Sequence, residues 1–149
     1  MHKLIFYPLG NADCCLIELQ NCKNILFDFA DTRDPDDKED LRCDLPSQIR
    51  EVLESDDRDY FDVVAFTHLD EDHYKGASEF FWLDHSQNYQ SVDRPKIKTL
   101  WVPAAVITET ALDKKEARIL QKEARYRFKE GYGIRVFSRP NRLRDWCVN

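Results

Sequence analysis

DVVAFTHLDEDHYKG, residues Asp62 to Gly76, is the stretch from which both the fold and the chemistry of this chain can be read. The apolar run Val63 to Phe66 predicts a short buried strand, and it empties directly into Thr67-His68-Leu69-Asp70-Glu71-Asp72-His73. Two imidazoles and three carboxylates lie within six residues, and the carboxylates repel one another and resist burial unless a cation sits among them. Imidazole with carboxylate suits zinc, manganese or iron better than the all-oxygen sets of magnesium and calcium. The competing interpretation is an acid-rich, solvated loop, which is common on soluble proteins. Position favours the metal. Gly76 follows the cluster and opens a second apolar run (Ala77, Phe80, Phe81, Leu83) that predicts a helix. Strand, ligand loop and helix in that order place a site at the carboxyl end of an α/β sheet.

The same residues resemble the metal-binding signature of the metallo-β-lactamase superfamily, T-H-x-H-x-D-H-x-x-G, with Asp70 in place of the second histidine. The resulting H-x-D-x-D-H is similar to the β-lactamase-like domain of the ComEC/Rec2 competence proteins. Two upstream blocks extend the likeness. Gly10-Asn11-Ala12-Asp13-Cys14-Cys15-Leu16-Ile17 resembles the G-x-G-D-x-x-L-I hairpin, and Ile25 to Asp31 resembles the I-L-I-D-T-G strand end. The sequence departs from the pattern at Ala12, Ala30 and Lys75, none of them a ligand position. The resemblance implies an αββα sandwich, of which the chain covers about the first half, residues 1–149 forming a single domain or the start of a longer one. It implies two divalent metal ions, zinc or manganese, partly occupied or absent in such a piece. His68 and Asp70 would face one ion and Asp72 and His73 the other, with Asp72 also catalytic and orienting the nucleophile. Asp13 and Asp28 would stand behind the ligands. Asp13 is open to a second interpretation as a turn residue bonding its own backbone, and Asp28 is expected to bond mainly backbone at a strand end.

The implied reaction is hydrolysis of a phosphodiester by a dinuclear metal-activated hydroxide, with nucleic acid or a nucleotide as substrate. Lys75, Arg125 and Arg127 are candidate phosphate contacts, although solvated helix residues are the commoner fate of such arginines. One alternative is a degenerate or truncated binding or regulatory module, whose site a further C-terminal segment or a partner would complete. Another is a thioester or lactone hydrolase.

Composition sets the outer limits. At 149 residues with 34% charged residues and a net charge of −6, the chain can bury one core and is expected to be soluble. Residues 113–144 carry eleven Lys and Arg against four Asp and Glu, about +7, leaving about −13 on the rest, a division compatible with phosphate substrates. Five cysteines (14, 15, 22, 43, 147) without C-x-x-C spacing are expected to stay reduced in a cytoplasmic protein. No signal peptide or membrane span is evident.

In chain order, residues 3–8, 14–19 and 24–29 predict three strands of a meander, and 31–44 a solvated acidic loop. Asp44 reads as the N-cap of a helix with Pro46 in its first turn and Leu45, Ile49, Val52 and Leu53 on one face. Residues 84–95 read as a surface insertion, with His85 a solvated loop residue. Ile97 to Val102 predicts a strand. Thr110 and Asp113 predict a capping box for a basic helix with the stripe Ala117, Leu120, Ala124 and Phe128, ended by Gly131. Gly133 to Ser138 predicts a last strand, giving α/β overall.

Overall fold

Six strands in a single mixed sheet follow one another in chain order. The computed structural model describes residues 1–137 and Asp145. Strands β1 (Lys3–Phe6), β2 (Cys15–Glu18) and β3 (Asn24–Phe27) form the expected antiparallel meander. From β3 onward the pairing is parallel, through β4 (Tyr60–Ala65), β5 (Lys96–Pro103) and β6 (Ile134–Phe137). Parallel neighbours need crossovers, and helices supply them: α1 (Leu45–Ser55), the short α2 (Glu71–Tyr74) and α3 (Ala77–Phe80), then α4 (Ala104–Thr108) and α5 (Lys115–Glu130).

Each crossover steps in the same direction along the sheet. Because such crossovers are right-handed, all of them fall on one face. The cross-strand row Leu16, Leu26, Val64 and Leu100 is buried under them, beside Leu45, Ile49 and Leu53 of α1 and Ala117, Leu120 and Ala124 of α5. The opposite row, Ile17, Ile25, Val63 and Thr99, is only half-buried, and Leu4, Phe6 and Phe137 are exposed. Among the described residues the fold is therefore α/β, with one helical layer on one side of the sheet.

Several local expectations hold. Asp44 caps α1, its carboxylate accepting from Ser47 N at 3.1 Å, a bond of the kind that stabilises a helix by about 1 kcal/mol. Gly131 ends α5 with φ +73°. Cys14, Cys15, Cys22 and Cys43 are free thiols. No helix among the described residues is long and apolar enough to cross a membrane. Ser138 of the last predicted strand and residues 146–149, Cys147 included, lie outside the described residues.

Others are corrected. The helix predicted after Gly76 is one turn, because Phe81 returns to extended backbone (φ −86°, ψ 150°). Its apolar side chains are buried by aromatic packing instead, Phe29 lying 4.6 Å from Phe80 and 5.3 Å from Phe81 between ring centroids. The Thr110–Asp113 capping box does not form. Thr110 N and Ala111 N donate to the Glu109 carboxylate, and α5 begins only at Lys115, behind an unforeseen α4.

His85 is not solvated. Its Nδ1 lies 2.9 Å from Glu123 Oε2, and its side chain is 10% exposed. Arg127, a candidate phosphate contact or solvated residue, is 1% exposed. Its guanidinium donates to Glu123 Oε1 at 2.6 Å and to the Ile97 carbonyl at 2.8 Å, and it pairs with Asp84 at 2.9 Å. The insertion 84–95 is thus tied to α5 by a buried ion network. Burial of Glu123 favours its neutral form, but the hydrogen bond from His85 and the charge of Arg127 outweigh that and hold the carboxyl below its usual range.

Candidate metal centre

The ends of β3 and β4 lie side by side in parallel register, Phe27 opposite Ala65, so the residues following each strand emerge together at the carboxyl edge of the sheet. Asp28 follows β3. It is buried and adopts φ +55°, a left-handed conformation that aspartate tolerates better than most residues. Its backbone N–H donates to the Ala65 carbonyl at 2.8 Å, which turns the carboxylate toward the loop after β4.

Three donors converge on that carboxylate. Thr67 N reaches Oδ1 at 2.8 Å, while Thr67 Oγ1 at 2.7 Å and His73 Nδ1 at 2.9 Å reach Oδ2. A carboxylate can only accept, so His73 Nδ1 carries a proton and its Nε2 points away from Asp28. This is the arrangement by which a histidine ligand is oriented from behind.

His73 also anchors the loop through its backbone, its carbonyl accepting from Phe29 N at 3.0 Å, and the Lys75 carbonyl accepts from Asp31 N at 2.7 Å. Gly76, at φ +82°, allows the chain to turn from α2 into α3. A Cβ there would stand 3.1 Å from the Asp31 Cβ. From α5, the Glu116 carboxylate receives Gly76 N at 3.2 Å and Ser78 N at 2.9 Å. The loop is thereby held between β3 and α5.

Within this frame His68, Asp72 and His73 each offer a ligand atom, all within 4.8 Å of one another. The His68 and His73 rings lie 3.6 Å apart between centroids. Asp72 Oδ2 stands 3.5 Å from His73 Nε2, and Asp70 Oδ2 stands 3.4 Å from His68 Nε2. Charge-assisted N–H···O bonds close to about 2.7–2.9 Å. At 3.4 and 3.5 Å neither pair makes such a bond. Two imidazoles and one carboxylate with open space around them fit zinc or another first-row divalent ion.

The expected grouping is therefore rearranged. His68, Asp72 and His73 come together as one three-donor set, and Asp70, with 77% of its side chain exposed, stands outside it against His68. The Asp28 side chain bonds His73 and Thr67, where mainly backbone bonding was expected. Asp13 is exposed before β2, and among the described residues no hydrogen bond or ion pair joins it to the loop. Lys75 is exposed at the end of α2. Arg125 places Nε on the Ile107 carbonyl at 2.8 Å and Nη2 on the Glu109 carbonyl at 2.9 Å.

Two contributors had not been singled out, Thr67 and Glu116. Thr67 adjoins the histidine motif and could have been suspected from that position alone. Glu116 carries no local signal, being forty residues from the Gly76 N–H it binds. In comparisons with known proteins, no family model, no curated protein and no solved structure matches the chain.

Proposed function

We propose that the protein is a metal-dependent hydrolase whose centre is built by His68, Asp72 and His73, of the metallo-β-lactamase-like kind that the sequence resembles. The observation that carries this reading is the Asp28 carboxylate, which is buried, accepts a hydrogen bond from His73 Nδ1 and leaves Nε2 for the side of His68 and Asp72. A divalent ion bound there would supply Lewis acidity toward a carbonyl or phosphoryl oxygen and lower the pKa of water at the site.

The chain's own groups then have separable tasks. Asp28 and Thr67 hold His73 in one tautomer and orientation. Asp72, half-exposed, serves as a ligand that can also accept a hydrogen bond from water and aim it. Asp70, outside the donor set, adds negative charge beside His68. The three converging donors suffice for one ion. The two-ion arrangement needs ligands that the described residues do not bring to this loop, and a further layer on the open face of the sheet is where a complementing segment or partner would pack.

A phosphodiester of nucleic acid or a nucleotide keeps Lys75 as a cation, but Arg127 is buried and Arg125 is engaged with carbonyls. A second reading, a binding or regulatory module, is favoured by the open three-donor set, which holds an ion less tightly than a closed four-ligand site. Titration with zinc and manganese, followed by assay on p-nitrophenyl esters and on bis-p-nitrophenyl phosphate, tests both. The hydrolase reading expects one bound equivalent, lost in His68→Ala and Asp72→Asn, with turnover that disappears alongside it. Binding without turnover supports the module, and unchanged binding in both variants refutes the centre.

A further inference from the structure

Next to the buried row Leu26, Val64 and Leu100 runs a row on the other face of the sheet: Phe27 on β3, Ala65 on β4, Trp101 on β5 and Arg135 on β6 stand opposite one another in register. Residues opposite one another on neighbouring strands point to the same side. Phe27 and Trp101 are two strand spacings apart, about 9–10 Å, and Ala65 between them carries only a methyl group. A flat ring between two others needs about 7–8 Å, one carbon contact on each side. A pocket of about 240 Å³ opens there, with Phe27, Ala65, Trp101, Pro103 and Phe137 among its walls. A cavity of about 150 Å³ takes benzene, so this one suits a fused pair of rings.

Trp101 also borders a wider hollow whose charged residues are Lys23, Asp62, Lys98 and Arg135. Asp62 is already matched, with Arg58 Nη1 3.1 Å from Oδ2 and Lys98 Nζ 3.7 Å from Oδ1. Lys98 lies in addition 3.5 Å from the centroid of the Tyr60 ring. Arg135 is exposed, and among the described residues it makes no ion pair. Residues 138–144 and 146–149 contain no aspartate or glutamate that could supply one. An aromatic slot thus adjoins an uncompensated guanidinium, a group that holds a carboxylate through two parallel N–H···O bonds.

We propose that this face of the sheet binds a fused-ring aromatic carboxylate, its rings over Ala65 between Phe27 and Trp101 and its acid group on Arg135, which reaches past Trp101 from the next strand. The site is separate from the His68–Asp72–His73 centre and does not rest on the hydrolase reading.

Calorimetry with 2-naphthoate, 2-naphthol and decanoate at pH 7, each in the presence of EDTA, tests it. 2-Naphthoate is expected to bind about tenfold or more tightly than uncharged 2-naphthol, as a charge-assisted pair provides. It is also expected to bind more tightly than decanoate, which has the charge without the rings. Arg135→Gln, at an exposed position, is expected to bring 2-naphthoate down to the affinity of 2-naphthol, leaving 2-naphthol binding and the circular dichroism spectrum unchanged. In the unsubstituted protein 2-naphthol is expected to shift the Ala65 methyl and Trp101 indole resonances. Absence of binding at millimolar ligand, equal affinities for 2-naphthoate and 2-naphthol or for 2-naphthoate and decanoate, or an unchanged 2-naphthoate affinity in Arg135→Gln overturns the site. Binding that appears only when zinc replaces EDTA places the carboxylate on the metal centre, which overturns this site and supports that centre. Binding in EDTA by protein that takes up no zinc supports this site and removes the centre.

Discussion

Asp28 decides the orientation of His73, the histidine buried at the base of the ligand loop. Its carboxylate accepts two hydrogen bonds from Thr67 and one from His73, and its left-handed backbone is held by the Ala65 carbonyl. Asp28→Asn, which offers an amide where Oδ2 now accepts twice, is expected to lower zinc affinity about 10- to 100-fold with the fold retained. A chelator competition assay alongside circular dichroism measures this. Asp70→Asn is expected to lower affinity less than Asp72→Asn in the same assay, because Asp70 stands outside the three-donor group. Equal losses would restore Asp70 as a ligand. His68, Asp72 and His73 were legible from spacing, since they lie within six residues. The partnership of Asp28 with His73 spans 45 positions and exists only because β3 and β4 pair in parallel, which no local pattern announces.

At the scale of elements, the ligand loop is shaped by one backbone conformation and one apolar cluster. Gly76→Ala places a side chain at φ +82°, close to Asp31, and is expected to destabilise the protein by about 1–2 kcal/mol in urea unfolding. The run Ala77 to Leu83 reads as a helix because its apolar spacing fits one. Aromatic stacking on Phe29 buries the same residues without helical backbone past Phe80. The far end of the molecule depends on charge instead. Glu123 is held below the usual glutamate range, so its contribution is complete above the unfolded value of about 4.3 and is lost as pH falls through the lower folded value. Glu123→Gln is expected to cost about 3–5 kcal/mol at pH 7, by leaving buried Arg127 short of a countercharge. The gap from the unsubstituted protein should narrow below about pH 4, read from urea midpoints across a pH series.

For the whole molecule, strands added in sequence order put the crossover helices of the described residues on one face of the sheet. Leu4, Phe6 and Phe137 are exposed, Phe137 against Trp101 with ring centroids 5.3 Å apart. Exposed apolar side chains at both edge strands favour association in water. Phe6→Lys is expected to reduce concentration-dependent self-association in sedimentation velocity. The α/β class and the opening meander were readable from strand and helix periodicity. The one-sidedness was not, because β3 is apolar at alternate positions on both faces, Leu26 buried and Ile25 and Phe27 half-buried, as a strand covered on both sides would be. The basic composition of residues 113–144 is compatible with phosphate substrates. Arg127 shows that a cation in such a segment can serve the interior.

Glu116 and Glu123 sit seven residues apart on α5, two turns of helix, and so project from the same side. One receives the Gly76 and Ser78 amides beside the ligand loop, and the other receives the His85 amide at the opposite end of the sheet. The helix therefore acts as a strut riveted at its first turn and at its middle, and a displacement along its axis would release the two rivets in one event. Deuterium uptake at the Gly76, Ser78 and His85 amides should consequently proceed at a shared opening free energy. Independent protection of the two rivets would show that the strut gives way piecemeal.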